Sequence, residues 1–384
     1  VSARIVVVSA SIGAGHDGAA AELARRLRAA GFGVNRYDFL DLLPPGTGRT
    51  LRQTYATQLR VAPRSWDWLL SALQHRRSGA GAATLAHLGG RRRMRIALNP
   101  APAAVVSTYP LASQVLGRLR RSGALTAPVI TYLTDMSVHP LWVAPGVDLH
   151  LALHEVAADQ ARRLGADTVA VAGAAVDPAF HPAHDPPAAR AHGRARFGLP
   201  SDAPLALIVA GSWGVGDVIK SARDIARSGI AVPVTVCGRN ESLRARLADR
   251  GIGVSLGWVN DMPALIRACD VVVQNAGGLT SLEAMACGVP VVSYRSLPGH
   301  GTTNAAALDQ AGLAARIDTS DDLLRVLSEV LHGDLARRQA AAMAGLITGD
   351  VTTAKISALL PATQVPSPAK PLPSPADGLL AVAA

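Results

Sequence analysis

The sequence predicts an α/β protein of two Rossmann-like domains, each built around a parallel sheet. Three observations point there. Short β-branched runs alternate with helical stretches twice over, with a break between residues 177 and 204. Each series opens with an apolar strand running straight into a Gly-rich turn, Ser11–His16 in the first half and Gly211–Gly216 in the second. A chain of 384 residues is also too long for one core of ordinary size.

In the first half, Ile5–Ser9, Val34–Tyr37, Ala104–Ser107, Val129–Leu133, Asp148–Leu151 and Thr168–Val171 read as buried parallel strands. Gly18–Ala30 reads as a helix: Ala19, Leu23 and Leu27 stack at i, i+4, and Arg25, Arg26 and Arg28 face water. Residues 44–100 fit the alternation less well. They read as an insertion of helices and loops, with Trp66 and Trp68 on a helical stretch followed by Gly-rich Ser78–Ala83. The expected division is therefore a first domain over 1–176, a Pro- and His-rich linker over 177–203, and a second domain over 204–347. The second domain carries strands at Leu205–Ala210, Val232–Cys237, Gly253–Leu256, Val271–Gln274, Val289–Ser293 and Ala314–Ile317. Asp321–His332 and Leu335–Leu346 read as helices. Residues 348–384 form a C-terminal segment whose six-proline tail from Pro361 reads as disordered.

Composition is that of a globular chain, 49% hydrophobic and 17% charged, and no apolar run approaches the ~20 residues that cross a bilayer. The expected location is the cytoplasm. Cys237, Cys269 and Cys287 stand far apart without metal-ligand spacing, as buried reduced thiols do. The net charge of +10 is carried almost wholly by Arg. Arg76, Arg77, Arg91, Arg92, Arg93 and Arg95 crowd one stretch, which suits an anionic membrane surface. Aromatic residues do not interleave with these arginines, so nucleic acid is not the expected partner.

The Gly-rich turns carry the chemistry. A glycine turn between strand and helix lets backbone N–H groups approach an anion at the helix N-terminus. Gly13, Gly15 and Gly18, with Asp38 ending the next strand, also match dinucleotide-binding spacing, and that reading stays open as a rival. The second half holds the richer constellation. Strand Asp270–Gln274 leads through Asn275-Ala276-Gly277-Gly278 into a helix over Leu279–Cys287, which Gly288 and Pro290 end. Gly277 and Gly278 suit a diphosphate, and Thr280 and Ser281 add hydroxyls. Glu283 borders the apolar stripe of Leu279, Leu282 and Ala286, where its carboxylate needs donors such as a ribose diol.

Gly277-Gly278-Leu279-Thr280, Glu283-Ala284, Gly288-Val289-Pro290, Pro298-Gly299 and Asn304-Ala305, in that order, resemble the donor region of GT-B glycosyltransferases. In the first half, Gly13-Ala14-Gly15-His16 and Thr134-Asp135, His139-Pro140 and Trp142 resemble the monogalactosyldiacylglycerol synthases and processive diacylglycerol glucosyltransferases. The resemblance implies a GT-B fold, two Rossmann-like domains facing a central cleft. It implies transfer of a hexose from a UDP-sugar to a lipid acceptor such as diacylglycerol, with inversion and at the inner membrane face. Gly238, Asn240, Val259 and Met262 would then hold the uracil through backbone groups. Gly211, Ser212 and Gly214 would line the diphosphate or sugar, Gly277, Gly278 and Thr280 would take the phosphates, and Glu283 the ribose. No Asp-x-Asp pair ends a strand, so neither metal nor other cofactor is expected. His16, Asp135 and His139 are the candidates for catalysis; His16 opens a helix whose positive end favours a neutral ring. Two positions depart from the family pattern: Ala14 replaces a glycine, and His300-Gly301 stand where acidic or Gln side chains are common. A soluble aglycone as acceptor and a GT-B-fold UDP-GlcNAc 2-epimerase are the alternatives, alongside a non-catalytic binding module.

Overall fold

The computed structural model describes residues 2–12, 14–61, 76–209, 216–346 and 351–366. Its strands are β1 (Arg4–Ser9), β2 (Gly33–Asp38), β3 (Ala104–Ser107), β4 (Val129–Tyr132), β5 (Leu149–Ala152) and β6 (Val169–Val171) in the first half. The second half holds β7 (Leu205–Val209), β8 (Val232–Val236), β9 (Val254–Leu256), β10 (Val271–Gln274), β11 (Val291–Tyr294) and β12 (Ala315–Ile317). Every pairing among them is parallel, in two six-stranded sheets ordered β2-β1-β3-β4-β5-β6 and β12-β11-β10-β7-β8-β9. Strands buried on both faces need no polar alternation, and β1, β3, β4 and β10 are continuous apolar runs with hardly a break. Each expected strand has its counterpart, with ends moved by one or two residues.

The helices that cover these sheets are α1 (Ala14–Ala29), α2 (Thr47–Val61), α3 (Arg76–Ala97), α4 (Pro110–Arg121), α5 (Glu155–Arg163) and α6 (Pro186–Phe197). They continue as α7 (Val218–Ser228), α8 (Glu241–Ala248), α9 (Met262–Ala268), α10 (Leu279–Ala286), α11 (His300–Gln310), α12 (Ser320–His332), α13 (Leu335–Met343) and α14 (Val351–Ser357). The sheet order reverses direction between β1 and β3 in the first sheet and between β7 and β10 in the second. Ligands of open α/β sheets bind at such switch points, outside the C-terminal strand ends.

Three local readings change. The passage taken for a linker contains α6, because Pro186 and Pro187 occupy its first turn, where a missing N–H costs nothing. Asp185 caps it, accepting from Ala188 N at 3.0 Å, and Gly198 ends it at φ +63°. Gly193 then lies so close to Ala268 that a Cβ would meet that side chain at 2.8 Å, and Arg194 pairs with Asp270 at 2.8 Å. Packing thus ties α6 to the second sheet's unit. Gly-rich Ser78–Ala83 is helical, within α3, whose Gly89 and Gly90 pack against Pro44 and Phe39. Arg26, expected to face water, folds over buried Glu22 at 2.6 Å and donates to the Ala174 carbonyl at 3.2 Å.

The chain also crosses back. Ala174 N donates to Leu346 O at 2.9 Å, Thr352 Oγ1 to Ala172 O at 3.4 Å, and Pro366 rests on Gly31. The C-terminal segment therefore docks on the first unit through residue 366. This corrects the start of the disordered tail expected from Pro361: residues 361–366 form a 3-10 turn over Ala362–Gln364 and a contact with Gly31. One apolar cluster runs through both units and this segment, including Met136, Ala174, Leu282, Leu308, Leu346 and Ile356. Among the described residues no helix is long and apolar enough to cross a membrane.

Candidate active site

The C-terminal edges of the two sheets face each other, and small residues set how closely. A Cβ on Gly18 would stand 2.6 Å from Leu279 Cδ2, so the first turn of α1 lies against the first residue of α10. The helix start that carries His16 thereby meets the helix start that follows the Gly277–Gly278 turn. Gly277 itself has φ +70°, a left-handed conformation costly for any residue with a Cβ. Gln274 and Asn304 side chains hold that turn, Gln274 Oε1 accepting from Gly277 N and Asn304 Nδ2 donating to Gly277 O at 2.6 Å.

His16 occupies the switch point of the first sheet. Its Nδ1 lies 2.8 Å from the carbonyl oxygen of Thr108, just beyond β3. A carbonyl only accepts, so Nδ1 carries the proton and Nε2 presents its lone pair. No hydrogen-bond partner among the described residues reaches Nε2. Burial lowers the ring's pKa, outweighing the opposite pull of Asp135 and of the Thr108 carbonyl. A neutral imidazole with a free Nε2 is a general base at neutral pH. Thr134 Oγ1 lies 3.2 Å from His16 Nδ1 and donates to Asp135 Oδ2 at 3.2 Å, linking ring and carboxylate through a hydroxyl. Tyr109 and Trp142 wall the ring, with centroids 5.3 and 5.9 Å away.

Asp135 and His139 stand on the same rim, beyond β4. Burial alone would raise the Asp135 carboxyl, but His300 from the opposite unit, at 3.5 Å, and the neighbouring His16 and His139 hold it at about 2. The same pair raises the pKa of His300 against its burial. Burial and the charge of His300 press His139 down to about 4, so it is neutral at physiological pH. Sequence reasoning marked His300 only as a departure from a pattern. Its pairing with Asp135 is a tertiary contact that no spacing in the chain announces.

The opposite wall holds the remaining candidates. Glu283, in α10, has no hydrogen-bond donor or cation at its carboxylate among the described residues. Burial, with Asp177 adding its negative charge, raises its pKa to about 7. Thr280 lies in the first turn of α10. Gly238 follows β8 with φ +59°, and Val259 and Met262 follow β9, all at the same sheet edge. Asn240 is beside them, though its side chain is engaged as the cap of α8, accepting from Leu243 N at 3.0 Å. Trp258 is 54% exposed there under the Arg239 guanidinium, 4.8 Å from its ring centroid. Gly13, Gly211, Ser212 and Gly214 lie outside the described residues.

The dinucleotide rival fares poorly on this geometry. Leu279 fills the space over Gly18, the third glycine of that fingerprint, and Asp38 Oδ1 accepts from Leu40 N at 2.9 Å and from Ser11 N at 3.4 Å.

Comparison with known proteins divides at the same place as the fold. Residues 16–176 match the monogalactosyldiacylglycerol (MGDG) synthase family model, and residues 209–344 match that of glycosyl transferases group 1. Similar curated proteins include processive diacylglycerol beta-glucosyltransferases of Bacillus pumilus, 27% identical over 245 residues and 61% of each chain, and of Bacillus subtilis, 26% over 252 residues and 64% of each. The chain thus spans about three-fifths of the length of these relatives. Among solved structures, HepE of Anabaena with UDP-glucose superposes with a TM-score of 0.56 at 15% identity, covering 93% of this chain and 98% of that one. MurG of Acinetobacter baumannii gives 0.54 at 17%, covering 93% and 99%. Both halves agree: the chain has the GT-B fold of glycosyltransferases and resembles the monogalactosyldiacylglycerol synthases and processive diacylglycerol glucosyltransferases.

Proposed function

We propose that this protein transfers a hexose from a UDP-sugar to the hydroxyl of a lipid acceptor such as diacylglycerol, with inversion at the anomeric carbon. The observation that carries the reading is the packing of the start of α1, which holds a neutral His16, against Leu279 at the start of α10, which follows the Gly277–Gly278 turn and holds Glu283. Among the described residues neither His16 Nε2 nor the Glu283 carboxylate has a hydrogen-bond partner. In this reading Glu283 accepts both ribose hydroxyls, and the amides of Gly278, Leu279 and Thr280 at the N-terminus of α10 meet the diphosphate. Gly277, whose N–H is taken by Gln274 Oε1, shapes the turn rather than donating. His16 Nε2 takes the acceptor's proton as the oxygen attacks the anomeric carbon. The bond from that carbon to the diphosphate breaks on the opposite face, and its electron pair leaves with UDP. Backbone donors and the helix dipole stabilise that charge, so the proposed step uses no metal. Asp135 keeps the rim electrostatically favourable to the imidazolium that forms, directly and through Thr134.

The lipid side of the proposal rests on the Bacillus relatives, named as acting on diacylglycerol, and on α3. Arg91, Arg92 and Arg95 are exposed on this helix, beside Leu85, Leu88 and Ile96 at 72%, 59% and 64% exposure. Cations among exposed aliphatic side chains suit a helix lying on an anionic bilayer. Of the other arginines in that stretch, Arg93 turns inward to the Leu43 carbonyl, and the side chains of Arg76 and Arg77 lie outside the described residues, as do Trp66 and Trp68. This surface would hold the protein at the inner face of the plasma membrane. Titration calorimetry tests the donor half: UDP binds, NAD does not, and Glu283→Gln weakens UDP roughly 10-fold or more, the worth of hydrogen bonds to a charged group. Tight NAD binding without UDP binding overturns it. UDP release with a small phenol and no lipid present favours the soluble-acceptor reading instead.

A further inference from the structure

Asn304 is fully buried, and its side chain uses every hydrogen-bonding site an amide has. Its Oδ1 accepts from Met136 N at 2.9 Å and from Ser137 N at 3.0 Å, in the loop that carries Asp135. Its Nδ2 donates to Ala276 O at 3.2 Å and Gly277 O at 2.6 Å, in the turn assigned to the diphosphate. One side chain on α11 therefore spans the cleft, joining backbone of the first unit to backbone of the second. Around it, Thr303 Oγ1 lies 3.2 Å from Ser137 Oγ, and His300 pairs with Asp135. The contact is also tight on the glycine side: a Cβ on Gly277 would stand 2.7 Å from Asn304 Nδ2.

We propose that Asn304 is a positioning residue that registers the catalytic rim of the first unit against the donor turn of the second, so that occupation of the turn sets the closure of the cleft. The inference rests on the UDP-sugar reading above. All four bonds of Asn304 go to main-chain groups whose spacing is fixed by β4 and β10. Only one relative placement of the two sheets satisfies them together, and any opening strands buried polar groups. A diphosphate that orders the Gly277 turn thereby fixes the two carbonyls to which Asn304 is tied, and through them the Met136–Ser137 loop, although it never touches that loop.

Two measurements test this. In the wild-type chain, hydrogen exchange of a peptide containing the Met136 and Ser137 amides is followed with and without saturating UDP. The expected result is at least a tenfold slowing. Exchange unchanged by bound UDP overturns the proposal. In Asn304→Asp, which keeps the shape but sets a carboxylate against two carbonyls, kcat for UDP release falls at least 30-fold and saturating UDP no longer slows exchange of that peptide. Normal kcat, or a slowing by UDP as large as in the wild type, overturns it. If Asn304→Asp does not fold, the wild-type exchange result decides alone. Failure of UDP to bind the wild-type protein would instead contradict the donor assignment.

Discussion

A half-buried carboxylate that has neither donor nor cation among the described residues destabilises the free protein until a ligand brings it donors, and Glu283 is such a group. Its folded pKa of about 7 lies above the ~4.3 of an exposed Glu. The folded state therefore binds the proton more tightly, and stability present at low pH is lost as pH rises through the window from ~4.3 to 7. Glu283→Gln removes that loss: in denaturant melts at pH 8 it is more stable than wild type by about 1–3 kcal/mol, and the difference vanishes near pH 4. The same titration makes wild-type UDP affinity rise between pH 6 and 8, and calorimetry on Glu283→Gln shows no such rise. His16→Ala separates the two walls. It lowers turnover by roughly 10²–10⁴ and leaves UDP affinity unchanged. Of these residues, His16, Asp135, His139 and Glu283 are legible in the sequence because each follows a strand end or borders an apolar stripe. The Thr108 carbonyl is not, since a backbone acceptor carries no side-chain signal. Neither is Asn304 as a bridge, because its four partners lie far away along the chain.

Among the elements, the turn over Asn275–Gly278 carries the tightest constraint. Gly277→Ala places a Cβ in the left-handed region and against Asn304, so it costs about 1–3 kcal/mol and weakens UDP binding together with stability. Thermal melts with and without UDP read both effects. Gly18→Ala is milder, because the atom it meets is the end of a Leu279 side chain that can turn away. The parallel strands are legible because each is a short continuous apolar run bounded by turn residues. The helix α6 is not: Pro186-Pro187 reads as a breaker in the chain, and only the capping by Asp185 and the contact of Gly193 with Ala268 show it to be a helix start. Ser78–Ala83 misleads in the same way, since glycine lowers helix propensity but the packing of Gly89 and Gly90 on Pro44 and Phe39 outweighs it.

At the scale of the whole molecule, two similar units open toward each other, and a C-terminal segment returning to the first unit ties them from behind. The exposed arginines of α3 lie outside the cleft, bordering a cavity of about 1020 Å³ also lined by Leu98 and Leu125. Replacing Arg91, Arg92 and Arg95 together by Ala lowers association with anionic vesicles at least tenfold at low salt, at roughly 1 kcal/mol per arginine, with no change in UDP affinity. Sedimentation across a salt series checks it, and binding indifferent to salt contradicts it. The facing of the two sheets is legible only through resemblance, because nothing in periodicity or composition fixes how two separate cores dock. The most direct test of the account offers UDP-glucose, UDP-galactose and UDP-GlcNAc to the wild-type protein with diacylglycerol vesicles, and follows UDP release, glycolipid and its anomeric configuration together. At least one donor is expected to give UDP and lipid-bound sugar in equal amounts, with the anomeric configuration inverted, and His16→Ala to lose the reaction. No UDP from any donor in the presence of diacylglycerol, or UDP released equally fast without it, would contradict it.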